Sequence, residues 1–546
     1  MAKLITARDA AEMIQDGDAV ICATFGASGV PEDIYMELEK RFLETGHPRS
    51  LTYTHAAGSG SFAALADENG FCRGEDHICH TGMIKRWIAS HSACSDFCAK
   101  QIADNVYAAW CLPLGTMIHM WREQARGLKG CLSKVGLGTY VDPRFDGGAI
   151  NQKAKDLINE GETYVEYIPD FRGEEFLFYK GLDIDVALLR GTKMDKHGNM
   201  SIEKEPYNFE SLTVAQAAKA CGGKVIVQVE EIVEVGEIHP KLVKVPGFYI
   251  DYVVIEKDPS KKVSTVGGLY NPAFTGETRI DLSSDSADVM PFDGIKIICR
   301  RAAMQIQKGM RANFGLGMPQ QIGSIMAEEG VSDYVTMLSE SGSVGGVPAS
   351  GVNFGAHYNI EASCDQGDHF NFFDAGGLDI GAFGLAEVDS KGGMNVAILN
   401  GSVKGVGGFM NISAGAKAAL VVGTFTAGGI KTAVEDGKLK ILKEGKFKKF
   451  VAKLPQNAFD AVGFVKSGKP LYYITERAVF QMTPEGLVLI EIAPGIDLQT
   501  QVLDLMEFTP IIPEGGPKLM PAEIFQEKWG GLKALLDSKP AVNVIE

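Results

Sequence analysis

A single carboxylate, Glu340, stands between an apolar run and a chain of glycines in "TMLSESGSVGGVPASGVNFGA", which begins at Thr336. A glutamate on bare backbone, with no charged neighbour in sequence, suits two tasks: general base, or nucleophile that accepts an acyl group. The glycines favour attack on something bulky, because they let a ligand approach and expose N–H donors to a developing oxyanion. Two more glycine loops follow predicted strands, "NFGLGMP" at Asn313 and "GSVKGVGGFMN" at Gly401. In a parallel α/β domain such loops lie at the carboxyl ends of strands, where ligands bind, so the three are expected to converge on one crevice. The plainer alternative is that each set of glycines only makes a tight turn.

Other chemistries find little support. The chain has no G-x-G-x-x-G, no G-x-x-x-x-G-K-[ST] and no serine in G-x-S-x-G, which disfavours NAD-dependent oxidoreductases, P-loop NTPases and nucleophile-elbow hydrolases. Cys72, Cys79, Cys94 and Cys98 cluster with His77 and His80, yet no C-x2-C pair occurs, so buried thiols are expected rather than zinc. A net charge of -16 provides no global basic field for nucleic acid or an anionic membrane. Charge at Arg8, Asp9 and Glu12 argues against a signal peptide, and the longest apolar runs are too short to span a bilayer, so the expected location is cytoplasmic.

The elements that must hold these loops are legible as a duplication. "IQDGDAVICATFGASGVPEDI" (Ile14 to Ile34) runs from a turn through an apolar strand into a glycine loop, after which Pro31 opens a helix; "IQKGMRANFGLGMPQQI" (Ile306 to Ile322) repeats the order. "DVALLRGTKMDKHGNM" (Asp185 to Met200) aligns without gaps to "DIGAFGLAEVDSKGGM" (Asp379 to Met394), sharing Asp195 with Asp389 and Gly198 with Gly392. Short apolar runs alternate with helical stretches in both halves, which predicts two similar open α/β/α domains with largely parallel sheets. The expected boundaries are 1–263, a linker at 264–290 rich in Gly, Ser, Thr and Asp, and 291–546. Seven lysines from Lys438 to Lys453 alternate like a half-exposed hairpin.

As a set the motifs resemble class I CoA-transferases, in particular the short-chain acyl group that includes acetate, propionate and succinyl-CoA:3-oxoacid enzymes. The likeness runs through "FGASGVPEDI", "HTGMIKRWIASH", "LPLGTMIHMWRE", "KVGLGTYVDPRFDGGAIN", "NFGLGMP", "SESGSVGG", "GVGGFMNIS", "ITERAVF" and "GLVLIEIAPGIDLQTQVL", spread over almost the whole chain. It implies that Glu340, in an S-E-[SN]-G signature, is a covalent nucleophile forming a glutamyl-CoA thioester in ping-pong exchange between an acyl-CoA and a free short-chain acid. Ser341 stands where more distant relatives often carry asparagine. The resemblance further implies oxyanion donors at Gly408 and Leu316, a polar partner at Asn313, and substrate or CoA contacts from Gly26, Gly29, Gly315, Gly317, Gly342, Gly345, Gly405 and Gly407. No cofactor or metal is implied, CoA being a substrate, and the family suggests a homodimer or homotetramer. An acyl-CoA hydrolase using the same glutamate and a non-catalytic metabolite-binding module are the alternatives.

Overall fold

The computed structural model describes residues 2–60, 74–259, 262–281, 289–399 and 401–543. Two eight-stranded sheets dominate it. The first is built from β1 (Lys3–Leu4), β2 (Ala19–Phe25), β3 (Leu51–Ala57), β4 (Ile84–Ala89), β5 (Ala108–Cys111), β6 (Val186–Arg190), β7 (Lys224–Val229) and β8 (Tyr252–Ile255). Their order is β1-β8-β7-β6-β2-β3-β4-β5, with every neighbouring pair parallel. Strands such as β6, "VALLR", are buried along their whole length, which is why they read as continuous apolar runs rather than alternating ones.

The second sheet contains β9 (Met310–Phe314), β10 (Val335–Met337), β11 (Ile380–Gly384), β12 (Ala419–Val422), β13 (Leu471–Ile474), β14 (Ala478–Thr483), β15 (Gly486–Ile492) and β16 (Lys518–Leu519), in the order β10-β9-β11-β12-β13-β14-β15-β16. It is parallel from β10 to β13; β13, β14 and β15 then run antiparallel through tight turns, because the three residues Thr475, Glu476 and Arg477 and the two residues Pro484 and Glu485 leave no length for a crossover helix.

The repeat seen in sequence is a repeat of neighbours in space. β2 lies between β3 and β6 as β9 lies between β10 and β11, so the aligned segments occupy matching positions in the two sheets. The shared aspartates do the same work: Asp195 Oδ1 accepts N–H bonds from His197 and Asn199, and Asp389 Oδ1 accepts them from Lys391 and Gly393. The helix after β2, Glu32–Thr45, starts just past Pro31 and stops at Gly46 in the left-handed conformation.

Two expectations change in detail. Only the first part of the lysine-rich run, Lys438–Lys443, is the second strand of a hairpin, paired with Lys431–Glu435 and turned by Asp436 and Gly437 at φ 52° and 72°, while Phe447–Lys448 pairs with Thr426–Ala427. Lys449, however, is no solvated lysine: its Nζ donates to the Leu385 carbonyl at 2.9 Å, and burial lowers it to about 8. The stretch read as a linker opens with a small antiparallel hairpin, Val263–Thr265 with Gly268–Leu269, where Val263 and Val266 pack on Ala27.

The halves are fastened together by side chains and backbone. The helix Leu114–Ala125 packs on Gln366–Asp374 of the other half, where Arg122 pairs with Asp368 at 2.7 Å and Asn411 accepts the Gly115 N–H at 3.1 Å. The loop before the helix Phe409–Gly415 is held at its backbone: the Ser90 carbonyl accepts the N–H groups of both Val406 and Gly407, and the Gly407 carbonyl accepts that of Leu114.

Candidate active site

A cavity of about 750 Å³ opens between the halves at the carboxyl ends of β2, β3, β4, β9 and β11. Glu340 enters it from a tight turn beyond β10, closed by the Gly342 N–H on the Ser339 carbonyl and the Ser339 N–H on the Ser343 carbonyl. Three hydroxyls fix that turn from behind. Ser341 Oγ donates to the Gly355 carbonyl at 2.7 Å, Ser339 Oγ lies 2.6 Å from Ser341 Oγ, and Ser343 Oγ lies 3.2 Å from it. Ser341 therefore anchors the loop rather than touching the cavity, which gives the serine of the signature a structural job.

Burial raises Glu340 above the ordinary carboxylate range, opposed by its own backbone N–H and by Asn313. Asn313, the fourth residue of β9, donates from Nδ2 to the Leu338 carbonyl at 2.9 Å and to Glu340 Oε2 at 3.4 Å. A carboxylate held partly desolvated, with one aligned donor, is a stronger nucleophile than one in water. Two backbone N–H groups complete the arrangement. Among the described residues neither Gly408 nor Leu316 gives its N–H to a protein acceptor, and both residues line the cavity. Gly408 leans on the nucleophile directly: a Cβ there would stand 3.5 Å from Glu340 Cβ.

The expected glycines divide. Gly26, Gly315, Gly405, Gly407 and Gly408 lie on the cavity wall with Leu316, Asn313 and Glu340. Gly29, Gly317, Gly342 and Gly345 do not, and three of these four have packing reasons to be glycine. At φ 99° Gly342 leaves no room for a Cβ, which would meet the Cys364 carbonyl oxygen at 2.1 Å. Gly345 is crowded by the Glu361 side chain and Gly29 by the Ala23 carbonyl and Phe209. These three are held by packing around their Cα atoms and do not line the cavity; Gly317 lies in open space beside the exposed Leu316.

Several wall residues were not singled out from sequence. Phe25, Tyr207 and Phe354 form an aromatic group bridging the halves, with Phe25 4.9 Å from Tyr207 and the Tyr207 hydroxyl donating to the Phe354 carbonyl at 3.2 Å. Burial and the charge of Glu340 both raise Tyr207, keeping it a neutral phenol. His91, just beyond β4, is pushed down to about 3 by burial and by His55, so a neutral imidazole faces the cavity next to Cys94. The signal for Phe25 and His91 was available: each stands at or just past the carboxyl end of a parallel strand.

The cysteine and histidine cluster separates. His77 bridges Glu32 and Glu39, and His80 also meets Glu39, while Cys79, Cys98 and Glu75 come together in the core with potential ligand atoms within 4.8 Å of one another. Glu75 is engaged there by His55 and Trp87, and burial raises both thiols. Cys72 lies outside the described residues.

Known proteins share this organisation. A family profile described as Coenzyme A transferase matches residues 4–256. The caffeate CoA-transferase of Acetobacterium woodii is 40% identical over 98% of this chain and 100% of its own length. The acetate CoA-transferase YdiF of Escherichia coli strain K12 is 35% identical over 96% of this chain and 95% of its own. Crystal structures of the O157:H7 acyl-CoA transferase YdiF superpose with a TM-score of 0.88 for the apoenzyme and 0.87 for a thioester complex with CoA, at 34% and 33% identity, each covering 97% of both chains. The chain belongs to the coenzyme A transferase family, as an enzyme that moves CoA between an acyl-CoA and a free acid.

Proposed function

We propose that the transfer runs through Glu340 as a covalent nucleophile, on short-chain acyl-CoA and carboxylic acids. Its carboxylate attacks the thioester carbonyl, and collapse of the tetrahedral intermediate gives a mixed anhydride and CoA thiolate. The thiolate attacks the glutamyl carbonyl, forming a glutamyl-CoA thioester and releasing the first acid. An acceptor carboxylate reverses both steps, leaving as the new acyl-CoA with Glu340 restored. Thioester is exchanged for thioester, so the cycle needs no ATP, metal or cofactor.

The observation that carries this reading is Glu340 on the wall of a cavity that Gly408 and Leu316 also line, their backbone N–H groups unengaged among the described residues. Each tetrahedral intermediate places negative charge on oxygen, and donors of this kind are worth ~3 kcal/mol each. Asn313 holds the carboxylate at its starting position. Gly26, Gly315, Gly405 and Gly407 are assigned to substrate and CoA contact. We assign two domains at 1–263 and 291–546, a homodimer or homotetramer, and a cytoplasmic location; no described helix is long and apolar enough to cross a membrane.

Mass spectrometry after incubation with acetyl-CoA or propionyl-CoA and no acceptor tests the mechanism. The expected result is a CoA-sized increment on the Glu340 peptide that acetate discharges. Transfer activity retained by a folded Glu340→Ala variant would refute it.

A further inference from the structure

The hairpin between the halves is part of the site. Val266 at its turn is 7% exposed, lies on the cavity wall, and approaches the Gly26 loop closely enough that a Cβ on Gly26 would meet its Cγ2 at 3.6 Å. The hairpin is fastened on both sides. Ser28 Oγ donates to the Ser264 carbonyl from one half, and Thr265 Oγ1 donates to Asn353 Oδ1 of the other at 2.6 Å. Gly267 is pressed so close to Asn353 that a Cβ would lie 2.2 Å from its Oδ1.

The cavity has an open and a closed side. Leu316, 48% exposed, marks the mouth together with Gly384, Lys404 and the 50% exposed Val352, while Val266 of the hairpin and Phe25, Ala27 and Ala57 of the first half form a buried wall. The long CoA arm must leave by the mouth, so the acyl group is directed toward the closed wall. That wall is apolar. Lys404 is the one lysine or arginine on the described lining, and it lies at the mouth with Asp96 3.8 Å away. A second carboxylate on the acyl group would be buried there without a partner, at high cost.

We propose that Val266 is a specificity-determining residue: the hairpin between the halves seats it against an uncharged apolar acyl chain and sets the length that fits. This rests on the glutamyl-CoA reading above. A pocket wall of this kind discriminates roughly tenfold or more per methylene. Val266→Leu should lower kcat/KM for butyryl-CoA and hexanoyl-CoA about tenfold relative to acetyl-CoA, and Val266→Ala should shift the ratio the other way.

The experiment measures kcat/KM across acetyl-, propionyl-, butyryl-, hexanoyl- and succinyl-CoA with acetate as acceptor, or propionate where acetyl-CoA is the donor. Glutamyl-CoA formation from acetyl-CoA serves as the control. Opposite tilts of the chain-length profile in the two variants, with succinyl-CoA poor throughout, are expected; if Val266→Leu does not fold, the tilt of Val266→Ala decides. Profiles parallel to the wild type, or efficient succinyl transfer by the wild type, would overturn the proposal while leaving the mechanism intact. No adduct and no transfer in the wild type would overturn both.

Discussion

Adding one methyl at Gly408 tests whether this residue aligns the reaction. Its φ of -78° is ordinary for alanine, so Gly408→Ala introduces no backbone strain. The new Cβ would sit 3.2 Å from Ile412 Cδ1, 3.4 Å from Phe370 Cζ and 3.5 Å from Glu340 Cβ. Only the Ile412 contact is tighter than ordinary van der Waals packing, so it is there that a few tenths of an ångström must be found. Part of that strain is taken up at the flexible end of Ile412 and the rest moves the Gly408 backbone relative to Glu340, which the serine network behind it holds in place. A 1 Å misplacement at a reacting centre costs on the order of 100-fold, so a few tenths should cost about 3- to 10-fold. The matching barrier increase is ~1 kcal/mol. Replacing Gly by Ala at the start of the helix Phe409–Gly415 costs under about 1 kcal/mol of stability. Single-turnover formation of the CoA adduct, followed by intact-protein mass spectrometry, reads the rate, and a thermal melt reads the fold. Wild-type rates in a folded variant would refute the claim that Gly408 sets the geometry at Glu340. A loss as complete as that of Glu340→Ala would refute the graded, positional account.

Three further outcomes follow from the site and its surroundings. Because burial raises Glu340 and Asn313 lowers it, the acid limb of the pH–rate profile should lie above the ordinary carboxylate value near ~4.3, and Asn313→Ala should move it higher still; a limb unmoved by the substitution would exclude Asn313 as a partner of the ionised form. The same burial makes ionised Glu340 a cost to the fold, so Glu340→Gln should abolish transfer yet melt no lower than the wild type at pH 8, and a drop of several degrees would contradict this. Glu210 is buried with both carboxylate oxygens unbonded and is raised to about 8. Folding therefore favours its protonated form: stability is highest below its unfolded value of ~4.3 and is lost as pH rises toward 8, by ~5 kcal/mol at most. Glu210→Gln should flatten the decline in melting temperature between pH 6 and 9, and an unchanged slope would show that Glu210 does not cause it.

What the sequence disclosed was the chemistry carried by local pattern. Glu340 among glycines, the doubly buried strands and the aligned aspartates all depend on residues close together in the chain, and their periodicities survive into the sheets. What it concealed was assigned by distant partners. Gly342 and Gly29 look like Gly26 in sequence; only the Cys364 carbonyl and Phe209, brought in from elsewhere, show that no side chain would fit there. The 263–269 hairpin was masked for the same reason, because a composition poor in periodicity does not reveal that Ser28 and Asn353 will grip it from both sides. His91 and Phe25 were recoverable from strand ends, but the pairing of Phe25 with Tyr207 was not.

The repeat of strand neighbours bears on how one chain comes to hold one reacting carboxylate. The loops after β2 and β9 bring Gly26 and Leu316 to the same cavity, where β3 ends in Ala57 and the loop after β10 brings Glu340. Matching loops meeting across a seam are the arrangement of an isologous dimer interface, here covalently joined. A symmetric pair would carry two carboxylates in one pocket, and their mutual repulsion would keep one protonated and idle. Glu340 is the one carboxylate on the described lining, so the seam keeps one charge, and the buried apolar wall of the other half leaves room for the acyl group. The two halves thus divide their labour: one supplies the nucleophile, and its copy supplies the uncharged wall that the nucleophile faces.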